Sequence, residues 1–69
     1  MNRTPVTSSH VVSVGYDPNT LTLEVEFNGN SVYQYFDVPE TVHQELMQAS
    51  SVGTYLHAQI YNNYRYVKV

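Results

Sequence analysis

The chain is predicted to fold as one α+β domain, a three-stranded antiparallel sheet with two short helices packed on one face. Three observations lead there. Residues 20–27 alternate between apolar and polar side chains, as a half-buried strand does. Asn28-Gly29 follows directly and suits a hairpin turn. Beyond Pro39 the alternation gives way to apolar residues every third or fourth position: Val42, Leu46 and Ala49, then Val52, Leu56 and Ile60. Strands gathered ahead of helices argue for helices laid on the apolar face of an antiparallel sheet.

Taken in order, residues 1–8 are polar, carry Pro5 and are expected to form a flexible arm, leaving residues 9–69 as the domain. Val11–Tyr16 is the first strand, with Val12, Val14 and Tyr16 on one face. Asp17-Pro18-Asn19 has turn chemistry, since proline presets φ and Asx side chains bond nearby backbone. In the second strand Leu21, Leu23, Val25 and Phe27 point to the core, and Thr22, Glu24 and Glu26 point to water. A two-residue loop, whether Asn28-Gly29 or Gly29-Asn30, fixes the next strand over about Ser31–Asp37. Both choices put Val32, Phe36 and Val38 on the core side, with Gln34 among them, and Tyr33 and Tyr35 beside Glu24 and Glu26 on the exposed side. Phe36→Ala is then expected to cost about 3–5 kcal/mol.

Asp37, with Glu40 three residues on, matches a capping box for the first helix, and Pro39 is tolerated in a first helical turn. Ser50-Ser51 breaks that helix, and Ser51 is placed to cap the second. Asn62-Asn63 offers a left-handed exit. Residues 64–69 alternate again and are a candidate fourth strand at the sheet edge.

Composition narrows the function. Sixty-nine residues make a domain near the lower size limit for unaided folding. Only 13% are charged, about half the usual share of roughly 25%. The net charge is −3, and Arg3, Arg65 and Lys68 are the only fixed cations, too few for the basic patch of a phosphate-gripping protein. The absence of cysteine excludes a disulfide framework, a zinc ribbon and a thiol nucleophile. No signal-peptide pattern opens the chain and no apolar run approaches a span of about 18 residues, so a soluble, cytoplasmic protein without membrane contact is expected. His10, His43 and His57 lack the spacing of helical zinc ligands, so no metal is expected. With no Gly-x-Ser-x-Gly elbow and no carboxylate pair set for acid–base work, the reading is a non-enzyme without a cofactor.

Three groups of residues are candidates for binding. Tyr33 and Tyr35 on one strand face suit base stacking or a protein contact, although aromatic pairs across strands also stabilise a sheet by themselves. Tyr64, Arg65 and Lys68, with Tyr61 and Tyr66 interleaved, combine stacking with charge, but equally describe an edge strand whose lysine discourages aggregation. Ser50-Ser51-Val52-Gly53 opens a helix and offers hydroxyls to an anion, yet Ser51 has a sufficient role as a cap.

The order Ser8-Ser9, Val14-Gly15-Tyr16-Asp17, Leu23-x-Val25-x-Phe27, Gly29, Tyr33-x-Tyr35, Val38-Pro39, Leu46, Ala49-Ser50-x-x-Gly53, Tyr55, Ile60 and Tyr64 resembles the KTSC domain. That small module is named for its place at the C-terminus of some lysyl-tRNA synthetases and also stands alone in bacteria and phages. The resemblance covers residues 8–69 and implies no catalytic residues. It implies Tyr33 and Tyr35 as the central motif, and an RNA role suggested by the synthetase association. This chain departs from the pattern at Tyr61, where a basic residue is common, and at Leu56-His57, where Phe-Asn is common. The first departure removes positive charge from the region expected to meet RNA.

The sequence thus points to binding rather than catalysis. A protein-interaction or self-association module is the favoured reading. A weak RNA or single-stranded nucleic-acid binder using Tyr33, Tyr35, Tyr64, Arg65 and Lys68 is the alternative.

Overall fold

The computed structural model describes residues 1–69. Five strands form one antiparallel sheet in chain order: β1 (Arg3–Pro5), β2 (Val11–Asp17), β3 (Thr22–Phe27), β4 (Ser31–Tyr35) and β5 (Tyr66–Lys68). Between β4 and β5 lie α1 (Glu40–Gln48) and α2 (Val52–Tyr55), which continues into a π-helical turn over Leu56–Ile60. The α+β class and the two helices stand, but the sheet has five strands. Residues 1–8, expected as a flexible arm, supply one edge, and residues 66–68 supply the other.

One face of the sheet meets the helices. Val11, Val14, Leu23, Val25 and Tyr35 pack there against Val38, Leu46, Val52, Leu56 and Ile60, all buried. The stripe Val52, Leu56 and Ile60, spaced every four residues, would drift round an ideal α-helix. The wider turn, closed by Tyr61 N–H donating to the Leu56 carbonyl at 3.0 Å, brings it back into phase with the sheet.

The hairpin between β3 and β4 differs from the expected one. Phe27 pairs with Ser31, so the loop has three residues, Asn28, Gly29 and Asn30, with φ +84° at Gly29 and +65° at Asn30. An odd loop moves the register by one residue, and one residue reverses every side chain on β4. Leu23 therefore faces Tyr35 and Val25 faces Tyr33, while Glu24 faces Gln34 and Glu26 faces Val32. The tyrosines lie on the core side, not beside the glutamates, and Phe36 is only half-buried on the opposite face.

Other local expectations change for equally local reasons. An irregularity in the β2–β3 register between Val11 and Ser13 turns Val11 inward and leaves Val12 exposed. Leu21 ends the Asp17–Thr20 turn with φ +56° and stays outside the core. Asp37 takes φ +60° and caps nothing; Pro39 stands at the start of α1 without a side-chain bond. Neither Asn62 nor Asn63 adopts a positive φ; Asn63 Nδ2 instead donates to the Gln59 carbonyl at 2.7 Å. Ser51 does cap α2, accepting the Thr54 N–H at 3.2 Å.

The sheet's far face is not wet either. Arg3 on β1 reaches across Gly15 to Glu24, donating from Nη1 to Oε2 at 2.6 Å. Gln34 Nε2 donates to Glu24 Oε1 at 2.8 Å, and Ser13 Oγ donates to Glu26 Oε1 at 3.0 Å. A Cβ at position 15 would stand 2.8 Å from the Asn2 carbonyl oxygen, so glycine is what lets β1 lie this close. Glu24 is only 8% exposed as a result.

These contacts set an acid response. The Gln34 amide, with Arg3, holds the Glu24 carboxyl below its ordinary 4.5 against the opposing effect of burial. Its stabilisation is complete above about pH 4.5 and is lost as the pH falls through the folded value. His43 stacks on Tyr16 with ring centroids 4.6 Å apart, and burial holds it below its ordinary 6.5. A depressed folded value has the same sign here, so destabilisation begins as the pH falls below about 6.5. Thermal melts across this range are expected to show both phases. Glu24→Gln should flatten only the lower one, and an unchanged slope there would remove Glu24 from the account.

Candidate binding surface at the β5 edge

The edge strand β5 pairs with β4 in antiparallel register, Tyr33 with Lys68, Gln34 with Val67 and Tyr35 with Tyr66. Phe36 N–H donates to the Arg65 carbonyl at 2.9 Å, and Val69 N–H to the Val32 carbonyl at 2.8 Å. Hydrogen-bonded pairs alternate along an antiparallel ladder, so Val67 also turns its backbone to β4. Tyr66 and Lys68 must then turn their N–H and C=O groups outward. Tyr66 (55% exposed), Val67 (44%) and Val69 (62%) make this the apolar edge of the sheet.

An aromatic groove adjoins that edge on the core side. Phe27, Tyr33, Tyr35, Tyr61, Asn62 and Tyr66 line a space of about 410 Å3. The rings form a continuous chain. Phe27 meets Tyr33 edge-on at 5.7 Å between centroids and Tyr61 at 6.2 Å, and Tyr66 lies 5.8 Å from Tyr33 and 5.7 Å from Tyr35. Burial, reinforced by Tyr61, Tyr33 and Tyr66, pushes the Tyr35 phenol up to about 12. Burial also raises Tyr61. The Tyr35 and Tyr61 phenols therefore stay neutral under ordinary conditions, as hydrogen-bonding rims on an apolar slot.

The residues singled out from sequence are partly brought together. Tyr33, Tyr35 and Lys68 share the core side of the sheet. Arg65 lies on the other side, its guanidinium 5.2 Å from the centre of the Phe36 ring and 3.9 Å from the Asp37 carboxylate. Tyr64 is half-buried against the core, next to Tyr55 rather than in the groove. Phe27, Tyr61 and Tyr66 complete the groove. From sequence Tyr61 and Tyr66 are grouped only with Tyr64, Arg65 and Lys68. They are not joined to Phe27, Tyr33 and Tyr35 because the assumed two-residue loop sends Tyr33 and Tyr35 to the wrong face. The signal was the Asn-Gly-Asn triplet, which supports two successive positive φ angles.

The family model for the KTSC domain matches residues 7–64. The chain belongs to the KTSC domain family. A solved KTSC domain protein from Yersinia pestis superposes with a TM-score of 0.96 at 40% identity, covering 99% of this chain and 96% of that one. An uncharacterized protein of Stutzerimonas stutzeri is 39% identical over 71 residues, 99% of its length. A lysine-tRNA ligase of Nostoc sp. is 43% identical over 58 residues, which is 84% of this chain and 10% of the ligase. The chain thus spans about a tenth of the ligases it resembles. Strands β1 and β5 lie outside the matched residues, so the open edge is built from segments the family model does not describe. No helix is long and apolar enough to cross a membrane.

Proposed function

We propose that this KTSC domain is a non-catalytic protein-interaction module that takes an extended segment of a partner against β5 as a sixth strand. The observation that carries the reading is the unpaired β5 backbone at Tyr66 and Lys68 with the aromatic groove on the same side. Strand addition draws affinity from main-chain hydrogen bonds and specificity from pockets for alternate side chains. A residue of the incoming strand beside Tyr66 would project toward the groove, where the rings offer large contact area at low entropic cost. Self-association is the case in which that strand is β5 of a second copy. The test is selection of peptides from a random display library, followed by amide-resolved NMR. Binders are expected to alternate in polarity and to shift the amides of Tyr66–Lys68; binders that shift only other surfaces overturn the reading.

One observation favours a second reading, weak binding of single-stranded RNA. A lysine-tRNA ligase carries a segment 43% identical to this chain, and stacked rings beside Lys68 suit unpaired bases. Charge argues the other way. Arg3 is engaged by Glu24 and Glu26, and Arg65 is set beside Asp37, which leaves Lys68 as the cation next to the groove. Titration with tRNA and a short single-stranded RNA at low salt, repeated at about 200 mM, separates the two readings. Saturable shifts in the groove that collapse with salt would establish RNA.

A further inference from the structure

A second groove lies on the other side of Tyr61. Thr7, Ser8, Ser9 and His10 form one wall, and residues 50–54 with His57 form the other, enclosing about 650 Å3. Segments some forty residues apart are fixed against each other here. Asn28 holds the first wall, donating from Nδ2 to the Ser9 carbonyl at 2.6 Å and from its N–H to the His10 carbonyl at 3.0 Å. Gly53 faces Ser8 across the floor, where a Cβ would stand 3.6 Å from Ser8 Oγ.

Two of the hydroxyls keep a proton free to donate. Ser8 Oγ accepts the N–H groups of His10 and Val11, each at 3.3 Å, which leaves its own proton free. Ser51 Oγ donates to Thr54 Oγ1 at 2.9 Å, so the Thr54 proton also points elsewhere. The electrostatics are as distinctive. The chain carries six carboxylates, yet no Asp or Glu lines this groove, and no Lys or Arg either. The titratable groups facing it are His10, His57 and the Tyr61 phenol, whose pKa burial raises. A site with several hydroxyl donors, two imidazoles and no acidic neighbour suits a compact anion that accepts hydrogen bonds on all sides.

We propose that this groove binds a phosphate group, held by hydroxyl protons of Ser8, Ser9, Ser50 and Thr54 and by His10 and His57. The phosphate comes either free or as the end of a small phosphate monoester, for which the groove has room. The site does not depend on what occupies the β5 edge, although Tyr61 borders both grooves.

The test is an amide-resolved NMR titration with sodium sulfate at about pH 6 and about pH 8, ionic strength matched with sodium chloride. Sulfate stays a dianion at both values, so any pH dependence comes from the protein. Saturable shifts are expected at Ser8–His10 and Ser51–Thr54, tighter by roughly fivefold or more at the lower pH. The double variant His10→Gln/His57→Gln should lose the pH dependence with an unchanged melting temperature. Inorganic phosphate and glycerol 3-phosphate then separate the two sources: equal affinity indicates the free anion, and tighter glycerol 3-phosphate indicates a monoester. Shifts that grow linearly and match the chloride control, or a pH dependence that survives in the double variant, would overturn the proposal.

Discussion

Leu23→Ala is expected to lower the stability of the domain by about 2–5 kcal/mol. Leu23 is fully buried on β3, between β2 and β4, and pairs with Tyr16 on one side and Tyr35 on the other. Truncation loses the transfer energy of the side chain and leaves a cavity that flanking strands close only in part. A domain of this size has a total of roughly 3–10 kcal/mol to lose, so the variant is expected to be marginally folded. Leu21→Ala is the control, the same change two residues away. Leu21 is 39% exposed, and its truncation should stay within about 1 kcal/mol. Urea denaturation followed by circular dichroism measures both. Equal losses would mean that Leu21 joins the core face of β3 instead of ending the turn outside it.

Tyr35→Ala is expected to cost about 3–5 kcal/mol, and Phe36→Ala only about 1 kcal/mol. Tyr35 is 4% exposed within the core, whereas Phe36 sits on the far face under the Arg65 guanidinium. Adjacent residues on a strand project to opposite sides, so the two variants read the β3–β4 register directly. A larger loss at Phe36 would restore the two-residue turn and move the tyrosines to the outer face.

The contrast between those residues marks what was legible in the sequence. The inward set Leu23 and Val25 followed from alternation, and the stripe Val52, Leu56 and Ile60 followed from helical spacing. Both patterns repeat over several residues and so survive local irregularity. The direction of β4 did not follow, because it hangs on the parity of one loop. Asn28-Gly29 is the stronger hairpin signal, but Asn30 also tolerates a positive φ and lengthens the loop to three. Val11 and Val12 exchanged roles for a similar reason, since an irregularity in the register leaves no mark on composition. Strand β1 was invisible because its residues are exposed. It is held by backbone pairing and by Arg3 reaching Glu24 rather than by burial.

The candidate surface was legible in its members more than in its arrangement. Tyr33, Tyr35 and Lys68 share the side of the sheet that carries the aromatic groove, but Arg65 and Tyr64 are turned to other neighbours. Splitting the cations this way weakens the phosphate-contact reading and leaves a neutral aromatic groove beside an open edge. Such an edge is a hazard unless it is used or guarded, and Lys68 guards it only in part.

The most direct test of the β5 edge is the affinity of a selected peptide for the wild-type domain and for Lys68→Pro. Proline at position 68 removes an outward N–H and leaves the bonds from Val67 and Val69 to β4 in place. A loss of roughly tenfold or more, with an unchanged melting temperature, is the predicted result, since the added strand forfeits a backbone bond and meets the proline ring. Unchanged affinity would contradict strand addition at β5.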